Sequence, residues 1–398
     1  MADERRYDVI IVGAGPAGIS TALHLAKLAP ELVARTLILE KVRHPRHKLC
    51  GGGLLPDAEF ILRSLGLDSA EVPHVDVDWA HFDFNGRGFR MRGERKGAYA
   101  FRTIRRHEFD AWLAGKARQA GFLIEEDTAV SRVSVSGEEA VVETERGTYR
   151  ARVVVGADGS KSVVRRLVVP HEASHSARLL EIVTEPRPET SFHAQTNSYF
   201  DFMYVPQGIL GYSWDFPALE GGQPVRVRGI YDSNVYPLKT EISLQAALAD
   251  EFGRHGYRLE EYNLEGHPLR WFEAKQALSG AHVLLAGDAA GADALFGEGI
   301  SIALGYGGLA AQAIQEAFGR GDFSFREYRK SILHSELGKA LRRRTWMAKF
   351  YYRLRSRAIQ ALVWRRLGRL VEWVMQTFMI GWAGRDFDKV GKPRKTTQ

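Results

Sequence analysis

Residues 7–29 read YDVIIVGAGPAGISTALHLAKLA, and this stretch decides the fold. Its first half, YDVIIVG, is a β-branched run of the kind that fills a buried parallel strand. Gly13, Gly15 and Gly18 follow in G-x-G-x-x-G spacing around Pro16 and Ala17, and helical periodicity continues from there. In such a turn the first glycine makes the tight bend and the second lets a pyrophosphate approach the backbone. The third lets the helix pack on the strand, with its N-terminus facing the phosphates. A second strand, TLILE, ends at Glu40, 22 residues after Gly18 and next to Lys41. A carboxylate there can accept hydrogen bonds from a ribose diol. Strand, glycine turn, helix and acid together predict a Rossmann-like dinucleotide-binding domain.

Two later segments repeat the strand-to-turn pattern. VVVGADGSKSVVR (153–165) carries Asp158, and HVLLAGDAAGADALFGEGISIALGYG (282–307) carries Gly287, Asp288, Ala289, Gly297, Gly299 and Ile300. With RRHEFDAWL (105–113), which holds Arg106, Phe109, Asp110 and Leu113, they resemble the fingerprints of FAD-dependent enzymes with the fold of p-hydroxybenzoate hydroxylase. The resemblance implies FAD as cofactor, with Asp288 at the ribityl or ribose region. It also implies a loop along the isoalloxazine and a helix N-terminus near the edge where negative charge develops on reduction. Ala294 stands where that group has a proline, so a less rigid loop is expected. No second strand–GxGxxG–helix unit is present. The electron donor is then expected to be NAD(P)H bound transiently, or a reduced redox protein.

HKLCGGGLLP (47–56) holds Cys50, the only cysteine in the chain, in front of three glycines. Glycine is costly to order, and such a run is tolerated where backbone passes close to something bulky or takes positive φ. Lys48, Cys50, Gly51 and Gly52, together with Tyr212, Trp214, Phe216 and Pro217 of GYSWDFP (211–217), resemble the Cys-Gly-Gly and YxWxFP motifs of the geranylgeranyl reductase family. The resemblance covers roughly residues 6–345. It implies saturation of C=C bonds in a polyprenyl lipid, by hydride from reduced flavin N5 plus a proton. Lys48, Cys50, Gly51 and Gly52 would lie at the flavin, with Cys50 a candidate catalytic proton donor or a cysteine that merely packs. Tyr212, Trp214, Phe216 and Gly53 would wall the substrate cavity. An FAD- and NAD(P)H-dependent aromatic monooxygenase, a flavin-dependent halogenase and a noncatalytic carrier of FAD and isoprenoid are the alternatives. The head group stays open among a diphosphate, a glycerolipid, a chlorophyll precursor and a quinone tail.

These readings give an α/β chain with a Rossmann-like FAD-binding domain, an antiparallel-sheet substrate domain and a helical C-terminal region. The FAD-binding parts are expected at 1–73, 102–172 and 276–320, the substrate domain at 74–101 and 173–275, and the helical region at 321–398. A single cysteine excludes an intramolecular disulfide and CxxC redox or zinc sites, and makes a reducing, cytoplasmic compartment the expectation. The N-terminus lacks signal-peptide character, and no apolar run is long enough to span a bilayer. His107, His267 and His282 lack metal-ligand spacing and are expected to be ordinary surface or core residues; no metal is expected.

The net charge of +7 is local. Residues 342–369 hold ten Lys or Arg and no acid, so the remaining 45 basic and 48 acidic residues leave a body near −3. In the same region and just after it, apolar residues at 359, 363, 367, 370, 374 and 378 recur near a 3.6 period. They are interleaved with Arg365, Arg366, Arg369, Trp364, Trp373 and Trp382. Residues 342–382 are therefore expected to meet an anionic membrane surface, peripherally on the inner face of the cell membrane. The competing reading is a helix packed on its own domain with a solvated basic face. No nucleic-acid motif accompanies the charge.

Overall fold

The computed structural model describes residues 5–93, 99–169, 176–186 and 196–385. Parts of the expected substrate-domain segments (94–98, 173–175 and 187–195) and the end of the helical region (386–398) lie outside them. Strand Arg5–Val12 is the centre of the first sheet. It pairs in parallel with Gly147–Gly156 on one side and Thr36–Leu39 on the other. Val283–Leu285 and Leu123–Glu125 extend it in parallel. Val9, Ile10 and Ile11 are fully buried, as a strand covered on both faces requires. Helix Pro16–Leu28 follows and packs against helix Ile300–Arg320. The third glycine is forced by close approach of the backbone, because a Cβ on Gly18 would sit 1.9 Å from the carbonyl oxygen of Gly13. Gly13 makes the bend at φ +104°.

The second sheet has seven strands, in the order Glu265–Arg270, Ser176–Thr184, Gln223–Asp232, Gly211–Glu220, Asn197–Asp201, Trp79–Asp83 and Gly88–Met91. It is antiparallel except where Asn197–Asp201 runs parallel to Trp79–Asp83. Side chains alternate along a strand, so Tyr212, Trp214 and Phe216 share one face of Gly211–Glu220. Asp215, on the other face, accepts hydrogen bonds from buried Arg226 (2.6 Å) and Arg228 (2.9 Å). Pro217 lies within this strand rather than at its end. His74–Val77 belongs to neither large sheet but joins Gly53–Leu54 and Phe101–Ile104 in a small third one.

The C-terminal region is helical but not one continuous helix. Tyr328–His334 and Glu336–Tyr351 are followed by Arg357–Ala361, a π turn at Leu362–Arg366, Gly368–Val374 and a second π turn at Met375–Met379. Of the apolar stripe read from the sequence, Ile359, Leu367, Leu370 and Phe378 are at the surface. The buried stripe is Gln360, Trp364, Gly368, Met375 and Met379. A π turn takes more residues than an α turn, so each one slips the register that an unbroken 3.6 period assumes. Close packing fixes the result, since a Cβ on Gly368 would meet the Phe89 ring at 2.8 Å. Asp57 then ties the segment to the first domain by accepting the backbone N–H of Gly381 (2.9 Å) and Ala383 (2.8 Å).

Candidate functional site

One cavity of about 390 Å³ runs from the glycine turn to the aromatic strand. At its first end Gly13, Gly15, Pro16 and Ala17 line it, with Glu40 and Lys41 beyond. Glu40 accepts from Ala14 N–H (2.9 Å) and Val42 N–H (3.3 Å), which leaves each oxygen a free lone pair. Helix Pro16–Leu28 begins at Gly15 without a side-chain cap, so its N–H groups are open toward the cavity. Arg46, which sequence reasoning missed, also lines this end and bridges Glu40 (3.6 Å) and Asp110 (3.2 Å). Asp158 accepts from Val163 N–H through one oxygen, while its other, buried oxygen has no partner among the described residues. An uncapped glycine helix start, an acid at the cavity wall and an orphaned buried carboxylate oxygen fit a dinucleotide such as FAD.

The middle of the cavity is the loop of Lys48, Cys50, Gly51, Gly52 and Gly53. The glycines are needed for two contacts within the protein. A Cβ on Gly51 would lie 3.1 Å from Trp214 Nε1 and 3.2 Å from the Phe216 ring. Gly52 has φ +77°, and its Cβ would overlap the Ile104 carbonyl oxygen at 2.0 Å. Cys50 Sγ accepts from Gly52 N–H at 3.4 Å. Burial pushes the Cys50 thiol up and outweighs the opposing Arg106, so it is held protonated. Arg106 is itself clamped by Asp110 through two hydrogen bonds, of 2.8 and 2.9 Å.

Beneath the loop lies Glu181, a buried carboxylate missed by sequence reasoning. Its Oε1 accepts the Cys50 N–H at 3.3 Å, and its Oε2 is buried without a partner among the described residues. Burial raises its pKa to about 7 against the opposing pull of Arg105. His267 corrects the expectation of an ordinary histidine: it lines the cavity and accepts from Lys48 Nζ at 2.9 Å. Burial, then the Lys48 charge, lowers its pKa to about 4, while burial lowers that of Lys48. Metal spacing was the wrong criterion for His267, because its partner lies 219 residues away. His107 and His282 do stay outside the cavity.

The far end is apolar and aromatic. Tyr212, Trp214, Phe216, Phe82, Phe101 and Phe200 face the cavity, joined by Met375 and Met379 from the C-terminal region. Asp288, Gly297, Gly299 and Ile300 line the side between the two ends, where helix Ile300–Arg320 starts at Gly299 without a side-chain cap. The loop before it begins at Ala294. Three tyrosine hydroxyls donate to its carbonyls: Tyr231 to Ala294 (3.1 Å), Tyr352 to Leu295 (2.9 Å) and Tyr212 to Phe296. Asp293 accepts from Leu295 N–H (2.8 Å) and pairs with buried Arg344 (3.4 Å), whose guanidinium also meets Glu298 (3.1 Å). Of all the site residues named from sequence, only Gly18 and Ala289 lie outside the cavity lining. Gly18 serves packing, and Ala289 is buried with its carbonyl accepting from Arg165 Nη1.

A family model described as FAD binding domain matches residues 6–294. The chain is 28% identical to digeranylgeranylglycerophospholipid reductase of Methanosarcina acetivorans over 80% of its length and 77% of the relative's. It is 27% identical to menaquinone reductase of Mycolicibacterium smegmatis, over 77% and 76%. Among solved structures, a geranylgeranyl bacteriochlorophyll reductase-like protein from Thermoplasma acidophilum superposes with a TM-score of 0.76, covering 97% of both chains at 21% identity. That last likeness concerns the fold. The chain belongs to the FAD binding domain family and is an FAD-dependent oxidoreductase.

Proposed function

We propose that the chain saturates C=C bonds of a polyprenyl lipid. The observation that carries this reading is the continuity of the cavity, polar and phosphate-ready at one end and aromatic at the other, with a thiol between. Gly13, Gly15, Glu40 and Arg46 would hold the adenosine and pyrophosphate part of FAD, and Asp288 with the Gly297–Ile300 turn its flavin part. Bound FAD supplies the hydride that such a saturation needs; its electrons come from NAD(P)H or a reduced redox protein.

The chain's own residues supply the rest. Phe82, Phe101, Phe200, Tyr212, Trp214 and Phe216 give an apolar chain a place to lie and exclude water from it. An isolated alkene accepts hydride poorly, so a proton must arrive first or together with it. Cys50 Sγ–H is the proposed donor: burial keeps the thiol protonated, and the Gly51 and Gly52 contacts fix its loop. Glu181 positions that loop through the Cys50 N–H. The FAD-binding, substrate and helical divisions expected from sequence are adopted as part of this proposal. So is a peripheral membrane location; no helix among the described residues is long and apolar enough to cross a bilayer.

Cys50→Ala and Cys50→Ser test the reading. Both are expected to retain FAD, measured by its absorbance after gel filtration, while reduction of a polyprenyl substrate falls by about 10²-fold or more. Full activity in Cys50→Ala removes the thiol from the reaction.

A further inference from the structure

The C-terminal helices carry two stripes, and only one is used inside the protein. Met375 and Met379 line the cavity, and Trp364 and Gly368 pack under the aromatic sheet. The other stripe, Ile359, Leu362, Arg366, Leu370 and Trp373, follows spacings of three, four, four and three residues, and every member is exposed. Leu367 and Phe378 flank it at the surface, and Trp373 packs edge-on to Phe378 at 5.7 Å. Eight of the thirteen exposed large hydrophobic side chains among the described residues fall between 346 and 378. Such a concentration marks an interaction surface rather than the scattered exposure normal for a folded protein.

Charge names the partner. Between residues 337 and 385 there are twelve Lys or Arg and a single acid, Glu372. Exposed Arg357, Arg366 and Arg369 lie in or beside the apolar stripe, and none of the three pairs with a carboxylate among the described residues. Aromatic and aliphatic side chains interleaved with unneutralised arginine suit the boundary between acyl chains and anionic head groups.

We infer that the exposed stripe 359–378 docks on an anionic lipid bilayer, and that this one layer of helix separates the bilayer from the apolar end of the cavity. A polyprenyl chain would pass between the stripe and the Met375–Met379 turn without crossing water; this second part rests on the reductase reading. The π turns Leu362–Arg366 and Met375–Met379 interrupt this segment, and π turns inside helices are frequent at functional sites.

The test uses the full-length, FAD-loaded protein and sedimentation with phosphatidylcholine vesicles, with and without phosphatidylglycerol. Binding is expected only with the anionic lipid and is expected to weaken with salt. Arg366→Gln with Arg369→Gln should lower it by roughly 30-fold, and Leu370→Ser with Trp373→Ser by about tenfold or more. Absence of binding, or binding that neither pair of substitutions changes, overturns the proposal. So does a wild-type dimer that Leu370→Ser with Trp373→Ser converts to monomer while vesicle binding persists, because the stripe is then a contact between copies. For the passage, substrate is offered in vesicles and in detergent micelles. The Leu370→Ser, Trp373→Ser protein is expected to lose turnover in vesicles and keep it in micelles; equal loss in both overturns the passage. No turnover by wild type in either form refutes the reductase reading and leaves the vesicle result to decide the docking.

Discussion

Replacing Glu181 by glutamine should make the protein more stable at alkaline pH and leave it nearly unchanged at acid pH. Glu181 is 2% exposed, and burial lifts its pKa from the ordinary 4.5 to about 7. The folded state therefore binds a proton that the unfolded chain has already released between about pH 4.5 and 7. Stability then falls as pH rises through that window, and flattens once both states are ionised. At about 1.4 kcal/mol per pH unit, the cost of holding the ionised carboxylate at pH 8 is on the order of 3 kcal/mol. Glutamine keeps the acceptor for the Cys50 N–H without the charge. The assay is urea unfolding of the FAD-loaded wild type and Glu181→Gln at pH 5.5 and pH 8, followed by tryptophan fluorescence. Wild type should lose about 2 kcal/mol relative to the variant between those two values, because only the part of the window from pH 5.5 to about 7 is crossed. Parallel pH dependence in the two proteins would mean that Glu181 is solvated or neutralised, and that its burial carries no such cost.

Gly52→Ala should destabilise by about 2 kcal/mol or more, since it adds a positive-φ penalty to a 2.0 Å overlap with the Ile104 carbonyl; a melting curve within a degree of wild type would contradict this. Arg46→Ala should weaken FAD binding by roughly tenfold, read by titrating apoprotein with FAD, because the cation bridging Glu40 and Asp110 at the cavity wall is lost. Tyr352→Phe leaves the Leu295 carbonyl without its donor and should cost about 1–2 kcal/mol, with no change in a vesicle-binding assay. Asp57→Ala frees the Gly381 and Ala383 N–H groups, and limited proteolysis should then cut near residue 380 faster than in wild type.

The parts legible in the sequence are those fixed by neighbours along the chain. The strand–glycine turn–helix at Val9–Gly18 and the acid at Glu40 follow from local period and spacing, and their backbone reasons are visible at Gly13 and Gly18. Cys50, Tyr212 and Trp214 were legible as a constellation because they carry motifs. What their glycines meet was not: Trp214 lies 163 residues from Gly51, and the Ile104 carbonyl is placed by pairing of Phe101–Ile104 with Gly53–Leu54. The same holds for His267, Glu181 and Arg344, whose partners come from distant elements and leave no local pattern. The tyrosine hydroxyls that bond the carbonyls of Ala294, Leu295 and Phe296 likewise come from distant elements. The C-terminal region was only partly legible for a different reason. Two apolar stripes coexist on one helical segment, and two π turns decide which of them faces inward.

Saturation of a polyprenyl lipid can be decided by one anaerobic experiment. The flavin of the purified FAD-loaded protein is reduced chemically, excess reductant is removed, and polyprenyl lipids with diphosphate, glycerolipid and quinone head groups are added in turn. The absorbance of oxidised FAD is expected to return with at least one of them, alongside a product heavier by two hydrogens. A flavin that stays reduced with every lipid, yet turns over on an aromatic substrate once oxygen is admitted, would make the protein a monooxygenase instead.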